Sequence, residues 1–305
     1  MKIRKVTLLI GLLFLFSGSN RAEKRPNIIL LNSDTSVVKY NEAQEAFKKT
    51  FTLPVQEVNL AEKKWKISEI EDLLYDEYPD IVYCIGSKAY LVANKYVSEK
   101  DIVFSSIINW HRLPLIEKSY GVSNELHTGM QITLFRYVFP DVKKIGVLYS
   151  GQYNSQWFNK TRTEAKEMGV EIIGQAVSKT KNSVFALENI IPEINALWLI
   201  SDPKIMADKK ILMDIFSVCE ARKIPIFSYH DIFAEYGAVL IVSVDNPTIG
   251  RQAAGMVMEV VSGEKIEEKV QYPAGSHIVL NLKKVKEYGL KYNANALSAV
   301  NKIIE

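Results

Sequence analysis

The sequence predicts an α/β protein of two lobes, each built on a parallel β-sheet. Apolar runs rich in Ile, Val and Leu alternate with amphipathic stretches at helical spacing, first over residues 27–122 and again over residues 123–245. The chain has 305 residues, of which 48% are hydrophobic, and this is enough for two globular cores. Since no Gly/Ser-rich linker separates the halves, we expect short crossings between them, which suit a hinge.

The first half opens with Ile28–Leu31, a run of four apolar residues that is typical of a strand buried on both faces. Helical patterns then alternate with further apolar runs, as they do in βαβ units. The predicted strands are 27–32, 55–60, 81–85, 102–105 and 121–122, and the predicted helices are 40–50, 67–75 and 89–96.

The second half repeats this alternation. Its predicted helices are 125–139, 155–168, 183–191, 205–222 and the short 231–236, and its predicted strands are 145–149, 170–176, 196–200, 224–228 and 238–244. A strand and a helix within 278–289 form the tail, with Asn281 as the helix N-cap and Gly289 past its end.

A long helix follows the strand 238–244. Asn246 is predicted as its N-cap and Pro247 as its first residue, because Pro lacks the N–H that this position leaves unpaired. Apolar residues recur at helical spacing from Ile249 to Val260, and Gly263 is expected to end the helix.

The first residues predict a secretory signal peptide over residues 1–22. Three basic residues precede the apolar run Val6–Phe16, and small residues follow it. The run is short for a permanent membrane anchor, which remains the alternative. Ser19 stands where a lipoprotein has its lipid-bearing Cys, so we expect a periplasmic protein without a lipid anchor.

Charge and composition exclude several classes of function. Removing residues 1–19, with Lys2, Arg4 and Lys5, takes the formal net charge from +3 to 0, so that chain is neutral and has no global field to hold nucleic acid or an anionic membrane. Cys84 and Cys219 lie in apolar runs of different halves, and we expect two buried, unlinked thiols. The four His residues are scattered, so no metal site and no cofactor are predicted.

Polar residues follow most of the predicted strands, at the carboxyl edge where open α/β sheets bind ligands. Most are hydroxyls, amides or acids in predicted loops, so they predict a hydrogen-bonding cleft. The candidate ligand-binding residues of the first half are Asn32, Ser87, Lys88, Ser105, Ser106, Asn109 and Trp110. Those of the second half are Tyr149, Tyr153, Asn154, Ser155, Asp202, Tyr229, Asp231 and Asp245.

Several of these residues have a structural alternative. Main-chain N–H groups at the helix start near Ser87 either hold a ligand carboxylate, with Lys88 beside them, or only begin a helix. Asp202 either caps a helix or contacts the ligand. Asp245 is the stronger candidate, because Asn246 is expected to supply the cap and Asp245 lies at the predicted hinge. Together the two acids would bind an ammonium group.

Three aromatic residues in predicted cleft loops, Trp110, Tyr153 and Tyr229, favour an organic and partly flat ligand. The alternative is that their rings pack between the lobes. The sequence lacks P-loop, HExxH, GxGxxG and Gly-x-Ser-x-Gly motifs, and the catalytic residue types within 228–231 are neighbours on one loop. We therefore expect a binding protein and not an enzyme.

Short motifs in a fixed order carry a resemblance to a known family. They are Ile224–Ser228, Gly237-Ala238, Asp245 with Gly250–Ala254, and further pieces at Ile145–Tyr149, Ala196–Leu199 and Val279–Lys283 with Gly289. In order and spacing they resemble the substrate-binding proteins of ABC transporters, tryptophan/tyrosine type, over most of residues 27–291.

This resemblance implies the type I periplasmic-binding-protein architecture, with two Rossmann-like lobes and a ligand cleft at the hinge. It implies one lobe of residues 23–122 and 246–273, and another of residues 123–245 and 274–305. The family has an Asn/Ser stretch similar to Asn154-Ser155 that grips the polar end of the ligand, and small residues where this chain has Lys88.

The function implied is that of a monomeric periplasmic solute-binding protein. It would capture a small, amino-acid-like ligand, for which an aromatic side chain is one option, and deliver it to an ABC permease. The alternative is a sensor of the same fold that docks to a membrane receptor or a sensor kinase, because fold alone does not choose between them.

Overall fold

The computed structural model describes residues 25–305, so the predicted signal peptide lies outside the described residues. The strands are β1 (Ile28–Asn32), β2 (Gln56–Asn59), β3 (Ile81–Ile85), β4 (Asp101–Ile107), β5 (Ser119–Ser123), β6 (Lys144–Tyr149), β7 (Glu171–Ala176), β8 (Ala196–Trp198), β9 (Ile226–Ser228), β10 (Leu240–Val244), β11 (Val270–Gln271), β12 (Ser276–Asn281) and β13 (Lys302–Ile304).

The α-helices are α1 (Val38–Thr50), α2 (Ile67–Glu77), α3 (Ser87–Tyr96), α4 (Thr128–Val138), α5 (Gly151–Glu167), α6 (Ser183–Ile190), α7 (Lys209–Ala221), α8 (Asn246–Ser262) and α9 (Leu282–Tyr288). Short 3₁₀ helices span Trp110–Arg112, Thr180–Asn182, Ile191–Glu193, Asp231–Ala234 and Ala294–Ala299.

The strands form two sheets. The first has the order β11-β5-β4-β3-β1-β2, and all its pairs are parallel. The second has the order β13-β12-β10-β9-β8-β6-β7, in which only the pair of β10 with β12 is antiparallel. These two mostly parallel sheets confirm the predicted α/β fold.

Each sheet is buried between helices, as the apolar runs predict. Residues Ile28–Leu31 of β1 are at most 1% exposed, because helices cover both faces of their sheet. Cys84 in β3 and Cys219 in α7 are buried and free, which confirms the prediction of two unlinked thiols. Burial raises the pKa of the Cys219 thiol to about 12, and it raises that of Cys84 as well.

Three segments cross between the sheets, at residues 124–127, 245 and 272–275. The second and third crossings lie against each other, because the Asp245 N–H donates to the Gly275 carbonyl oxygen at 3.2 Å. A side chain at Gly275 would meet the Thr248 hydroxyl oxygen at 2.8 Å, so only glycine fits there. The crossings are therefore short and tightly packed.

The start of α8 differs from the prediction. Asp245, and not Asn246, is the N-cap: its backbone is extended and its carboxylate accepts the Thr248 N–H at 3.0 Å. Asn246 is already the first helical residue, and its amide donates to Glu42 at 2.9 Å. The predicted end at Gly263 is confirmed, where the backbone is left-handed with φ of 68°.

Two other helix boundaries also differ. Helix α5 begins at Gly151, earlier than predicted, so that Tyr153, Asn154 and Ser155 lie in its first turns and not in a loop. Helix α7 begins later, at Lys209, because Asp208 caps it by accepting two main-chain N–H groups. Ser87 and Lys88 likewise lie in a helix, α3.

Helices α1 and α8 pack closely on the first sheet, and Gly250 is the point of nearest approach. A Cβ atom at Gly250 would overlap the carbonyl oxygen of Ala43 in α1. Gly255, one and a half turns further along α8, has no atom within 4 Å of the position of a Cβ. Because Gly250 has no side chain, α8 can pack directly against the main chain of α1 at this point.

We expect Gly250→Ala to lower the free energy of unfolding by about 1–3 kcal/mol, since the main chain of α1 must move away. Gly255→Ala is the matched control on the same helix, and it should raise stability by about 0.4–1 kcal/mol through the unfolded chain. Urea unfolding of both variants measures this. Equal effects of the two substitutions would contradict close packing at Gly250.

Candidate functional site

The carboxyl edges of the two sheets face each other across a cleft that contains two neighbouring cavities. The first cavity, of about 160 Å³, is lined by Ile108–His111, Asn124–Thr128, Gln131, Asn154, Trp157, Lys160, Glu164, Trp198, Ile200, Ser201, Tyr229, Val242–Val244 and Tyr272. The second cavity, of about 460 Å³, is lined by Val37–Lys39, Glu42, Ile108, Asn124, Tyr229–Asp231, Ser243–Pro247 and His277. They share Ile108, Asn124, Tyr229, Ser243 and Val244.

Aromatic rings make up much of the first cavity: Trp110, Trp157, Trp198, Tyr229 and Tyr272. The indoles of Trp157 and Trp198 pack edge-to-face with ring centroids 5.4 Å apart, and Trp198 also packs against the buried Phe135 at 5.1 Å. Packing of this kind holds the rings in place before any ligand arrives. The cavity therefore offers rigid apolar walls to a flat molecule.

Two contacts bridge the cleft. The Asn109 side-chain amide donates to the Ser201 carbonyl oxygen at 3.1 Å, and the Arg112 guanidinium lies over the Tyr153 ring at 4.6 Å. Asn109 has a left-handed backbone, with φ of 56°, which Asn adopts more readily than most residues. Both contacts are single and partly exposed, so the edges can separate at small cost.

Glu125 lies on the first crossing segment, where the two edges meet. Its Oε1 accepts the Ser201 hydroxyl at 3.4 Å. Burial raises the pKa of this carboxyl, and the main chain of Asn109, the Ser201 hydroxyl and the Arg112 charge offset that rise only in part. Glu125 is thus a partly buried acid at the centre of the cleft, on which the positive charge of Arg112 acts.

Asp202 holds the carboxyl edge of the second sheet together. Its fully buried carboxylate accepts the Ser150 N–H and hydroxyl, both at 2.7 Å, and the Asn154 amide at 2.6 Å. The other oxygen accepts the Lys204 and Ile205 N–H groups at 2.9 and 3.2 Å. Burial alone raises the pKa of Asp202, but these hydrogen bonds outweigh it and lower the pKa below its usual value.

The structure does not bring Asp202, a predicted ligand contact, to either cavity. The side chain is 0% exposed and lines neither cavity, and its oxygens are already satisfied by main-chain and side-chain donors. Asp202 acts instead as a cap, its structural alternative, by accepting the Lys204 and Ile205 N–H groups. Asn154, which Asp202 positions at the start of α5, does line the first cavity.

Most candidates from the first half also lie away from the cavities. The Asn32 amide donates to Gln44 at 2.6 Å, and the Ser105 hydroxyl pairs with Tyr83 at 2.8 Å, so both are structural. Ser106 is buried at a register shift of β4, with φ of 61°, and its hydroxyl has no partner among the described residues. Only Asn109 and Trp110 line the first cavity.

The helix start at Ser87 is not an open anion site. The Ser33 hydroxyl accepts the Ala89 N–H at 3.0 Å and thereby occupies the N-terminal end of α3. A Cβ at Gly86 would lie 2.6 Å from that hydroxyl, which shows how closely Ser33 approaches. The Lys88 ammonium donates to the Leu60 carbonyl at 2.8 Å and lines neither cavity. The proposed carboxylate site is thus filled by the protein.

The candidates of the second half are divided between the cavities. Asn154 and Tyr229 line the first, and Tyr229, Asp231 and Asp245 line the second. Besides Asp202, three candidates line neither cavity, because each is engaged elsewhere: Tyr149 stacks on Phe158, Tyr153 contacts Arg112, and the Ser155 hydroxyl donates to the Gly151 carbonyl.

Sequence reasoning missed Glu125, Trp157, Glu164 and Trp198. Trp157 and Glu164 lie inside a helix and Trp198 inside a strand, whereas the predicted candidates are residues that follow strands. Glu125 carried a signal, since it comes two residues after β5 at the first crossing. Within residues 25–305 no group of three acidic, His or Cys side chains could hold a metal ion, and no helix could span a membrane.

We expect Asp202→Asn to lower the free energy of unfolding by about 3 kcal/mol or more, since five buried donors lose a charged acceptor. Because folding lowers this pKa, the contribution is complete above the unfolded value of about 4 and is lost as pH falls towards the folded pKa. The difference from the wild type should therefore shrink in acid. Asp208→Ala, an exposed cap, is the control and should cost about 1 kcal/mol at neutral pH.

Comparison with solved structures finds the same fold. A ligand-free, open structure of a substrate binding protein with adhesive properties from Clostridium difficile has a TM-score of 0.71 at 15% identity, covering 92% of this chain and 99% of that one. An ABC domain from Streptococcus pneumonia, solved in complex with L-Trp, has a TM-score of 0.59 at 19% identity, with coverage of 91% and 100%.

A conserved domain protein from Vibrio cholerae has a TM-score of 0.60 at 16% identity, with coverage of 92% and 100%. No curated protein matches this chain in sequence. The family described as ABC transporter substrate binding protein matches residues 43–304, which is most of the chain and runs from within α1 to the end of β13. This protein therefore belongs to the ABC transporter substrate binding protein family.

Proposed function

We propose that this chain is the periplasmic solute-binding protein of an ABC transporter and captures a small, aromatic, amino-acid-like ligand between its two lobes. The observation that carries the proposal is the first cavity, to which both lobes contribute aromatic rings and a few polar groups. The L-Trp complex of the Streptococcus protein, which shares the fold, gives an example of such a ligand in a related structure.

The family sets the general frame. Its members are solute-binding proteins, which are not enzymes, and they pass a small molecule to the membrane subunits of a transporter. The family is typically extracytoplasmic, and the leader-like residues at the start of this chain support the periplasm as its compartment. We propose a monomer that docks to its permease when the cleft has closed on the ligand.

The proposed ligand contacts are those candidates that line a cavity. In the first cavity they are Asn109, Trp110, Asn154 and Tyr229, and in the second Asp231 and Asp245. The proposed lobes are residues 23–122 with 246–273 and residues 123–245 with 274–305. The strand membership of the two sheets supports this division, apart from Ser123 at the end of β5. Opening would break the Asn109–Ser201 and Arg112–Tyr153 contacts and bend the three crossings.

Ligand binding should change the tryptophan fluorescence, since three of the four Trp residues line the first cavity. We expect L-tyrosine or L-phenylalanine to bind with a measurable heat and to shift this emission. Trp157→Phe should remove part of the signal. Trp65→Phe is the control, because Trp65 donates to the Asn59 carbonyl on the first sheet, outside both cavities.

The outcome against this proposal is equally clear. If calorimetry detects binding of an aromatic amino acid to the wild type while its tryptophan emission stays constant, the ligand binds outside the first cavity. If neither aromatic amino acids nor the corresponding aromatic amines give a heat of binding, the proposed ligand class is wrong.

A further inference from the structure

Negatively charged side chains outnumber positively charged ones in the described lining of the first cavity. Two carboxylates line it, Glu125 and Glu164, while its only ammonium is that of Lys160 among the residues described. Lys160 is one helical turn from Glu164 and pairs with it at 3.7 Å, with 65% of its side chain exposed. No arginine lines the cavity in residues 25–305. Among the described residues that line the cavity, Glu125 therefore has no cation of its own, and the Arg112 charge acts on it from outside the lining.

The two histidines of the cavity do not restore the balance. Burial and the Arg112 charge lower the pKa of His111, which favours its neutral form. His127 caps α4 by accepting the Gly129 N–H on Nδ1 at 3.1 Å, and only a ring nitrogen without a proton can accept. Within the described lining, the one ammonium that a ligand carboxylate would meet is that of Lys160, which already pairs with Glu164.

The carboxylates also have spare acceptor capacity. Glu125 accepts one weak side-chain hydrogen bond, from Ser201 at 3.4 Å, and a main-chain hydrogen bond from Asn109. The Oε2 atom of Glu164 is buried and has no hydrogen-bond partner among the described residues. A buried carboxylate oxygen without a donor is costly, and a ligand that supplies N–H donors and positive charge removes that cost.

The aromatic walls suit the same ligand. Trp110, Trp157, Trp198, Tyr229 and Tyr272 surround the space, and the faces of such rings attract cations. An ammonium group could then contact Glu125 while an attached ring packs on the indoles. Acid and aromatic groups together define a site for an organic cation, whereas either alone would not.

We propose that this cavity selects an aromatic amine: a ligand with an ammonium group, a flat ring and no free carboxylate. The inference rests on the proposed function and narrows its ligand class. Glu125 is the group that pairs with the ammonium, and Glu164 adds negative charge from α5. Amino acids of the same ring bind more weakly, because their carboxylate enters a cavity whose uncompensated charge is negative.

Three probes with one ring separate the contributions: phenethylamine has only the ammonium, L-phenylalanine has both charges, and phenylpropionate has only the carboxylate. By calorimetry we expect phenethylamine to bind at least about tenfold more tightly than L-phenylalanine, and phenylpropionate most weakly of all. Glu125→Gln should weaken phenethylamine about tenfold to a hundredfold, as expected for a lost charged hydrogen bond. The same substitution should leave the affinity for phenylpropionate unchanged or raise it.

Glu167→Gln is the matched control, since Glu167 lies on α5 like Glu164 but is exposed and lines neither cavity. It should bind phenethylamine as the wild type does. Thermal melts check that Glu125→Gln remains folded, which we expect because the change removes a buried charge. Tighter binding of L-phenylalanine than of phenethylamine, or an unaffected Glu125→Gln, would overturn this inference and leave the proposed solute-binding function standing. Failure of all three probes would count against both.

Discussion

The buried carboxylate of Asp202 organises the edge of the second sheet on which the cleft depends. It joins the end of β6, the first turn of α5 and the turn after β8, through donors on Ser150, Asn154, Lys204 and Ile205. Parallel strands end with free main-chain groups, and a buried edge must pair them. One charged acceptor does so here, and this fixes the positions from which Asn154 and Ser201 reach the first cavity.

The two lobes are joined tightly at the crossings and loosely at the cleft. Gly275 lies against Thr248 and Asp245 with no room for a side chain, and the Asp245 carboxylate also caps α8. Across the cleft, by contrast, single contacts such as Asn109 to Ser201 hold the edges together. This difference in packing is what a hinged binding protein needs, because motion concentrates where few contacts must break.

Recognition in the first cavity follows from what the protein leaves unpaired. Most polar atoms at the strand ends already have partners inside the protein, such as Ser33 at the start of α3 and Asp202 beside α5. Glu125 is different, because burial raises its pKa and the charge of Arg112, which lies outside the cavity lining, offsets that rise only in part. Beside rigid indole walls, an unpaired acid of this kind gives the cavity a preference for positive charge. The selectivity that we propose therefore arises from the balance of the lining, and the fold shared with the family's other members does not dictate it.

The sequence by itself determined the α/β fold, the two sheets, the family and the two separate thiols. Apolar runs such as Ile28–Leu31 are typical of buried strands, and caps such as Asn281 act within a few residues of the chain. Only the tertiary structure decided which polar residues face the cleft. Asp202 and Glu125 both lie near strand ends, yet the first is fully paired and the second is not, and their partners Ser150 and Ser201 are 52 and 76 residues away in sequence. Side-chain pairing over such separations is a property of packing, which local pattern does not encode.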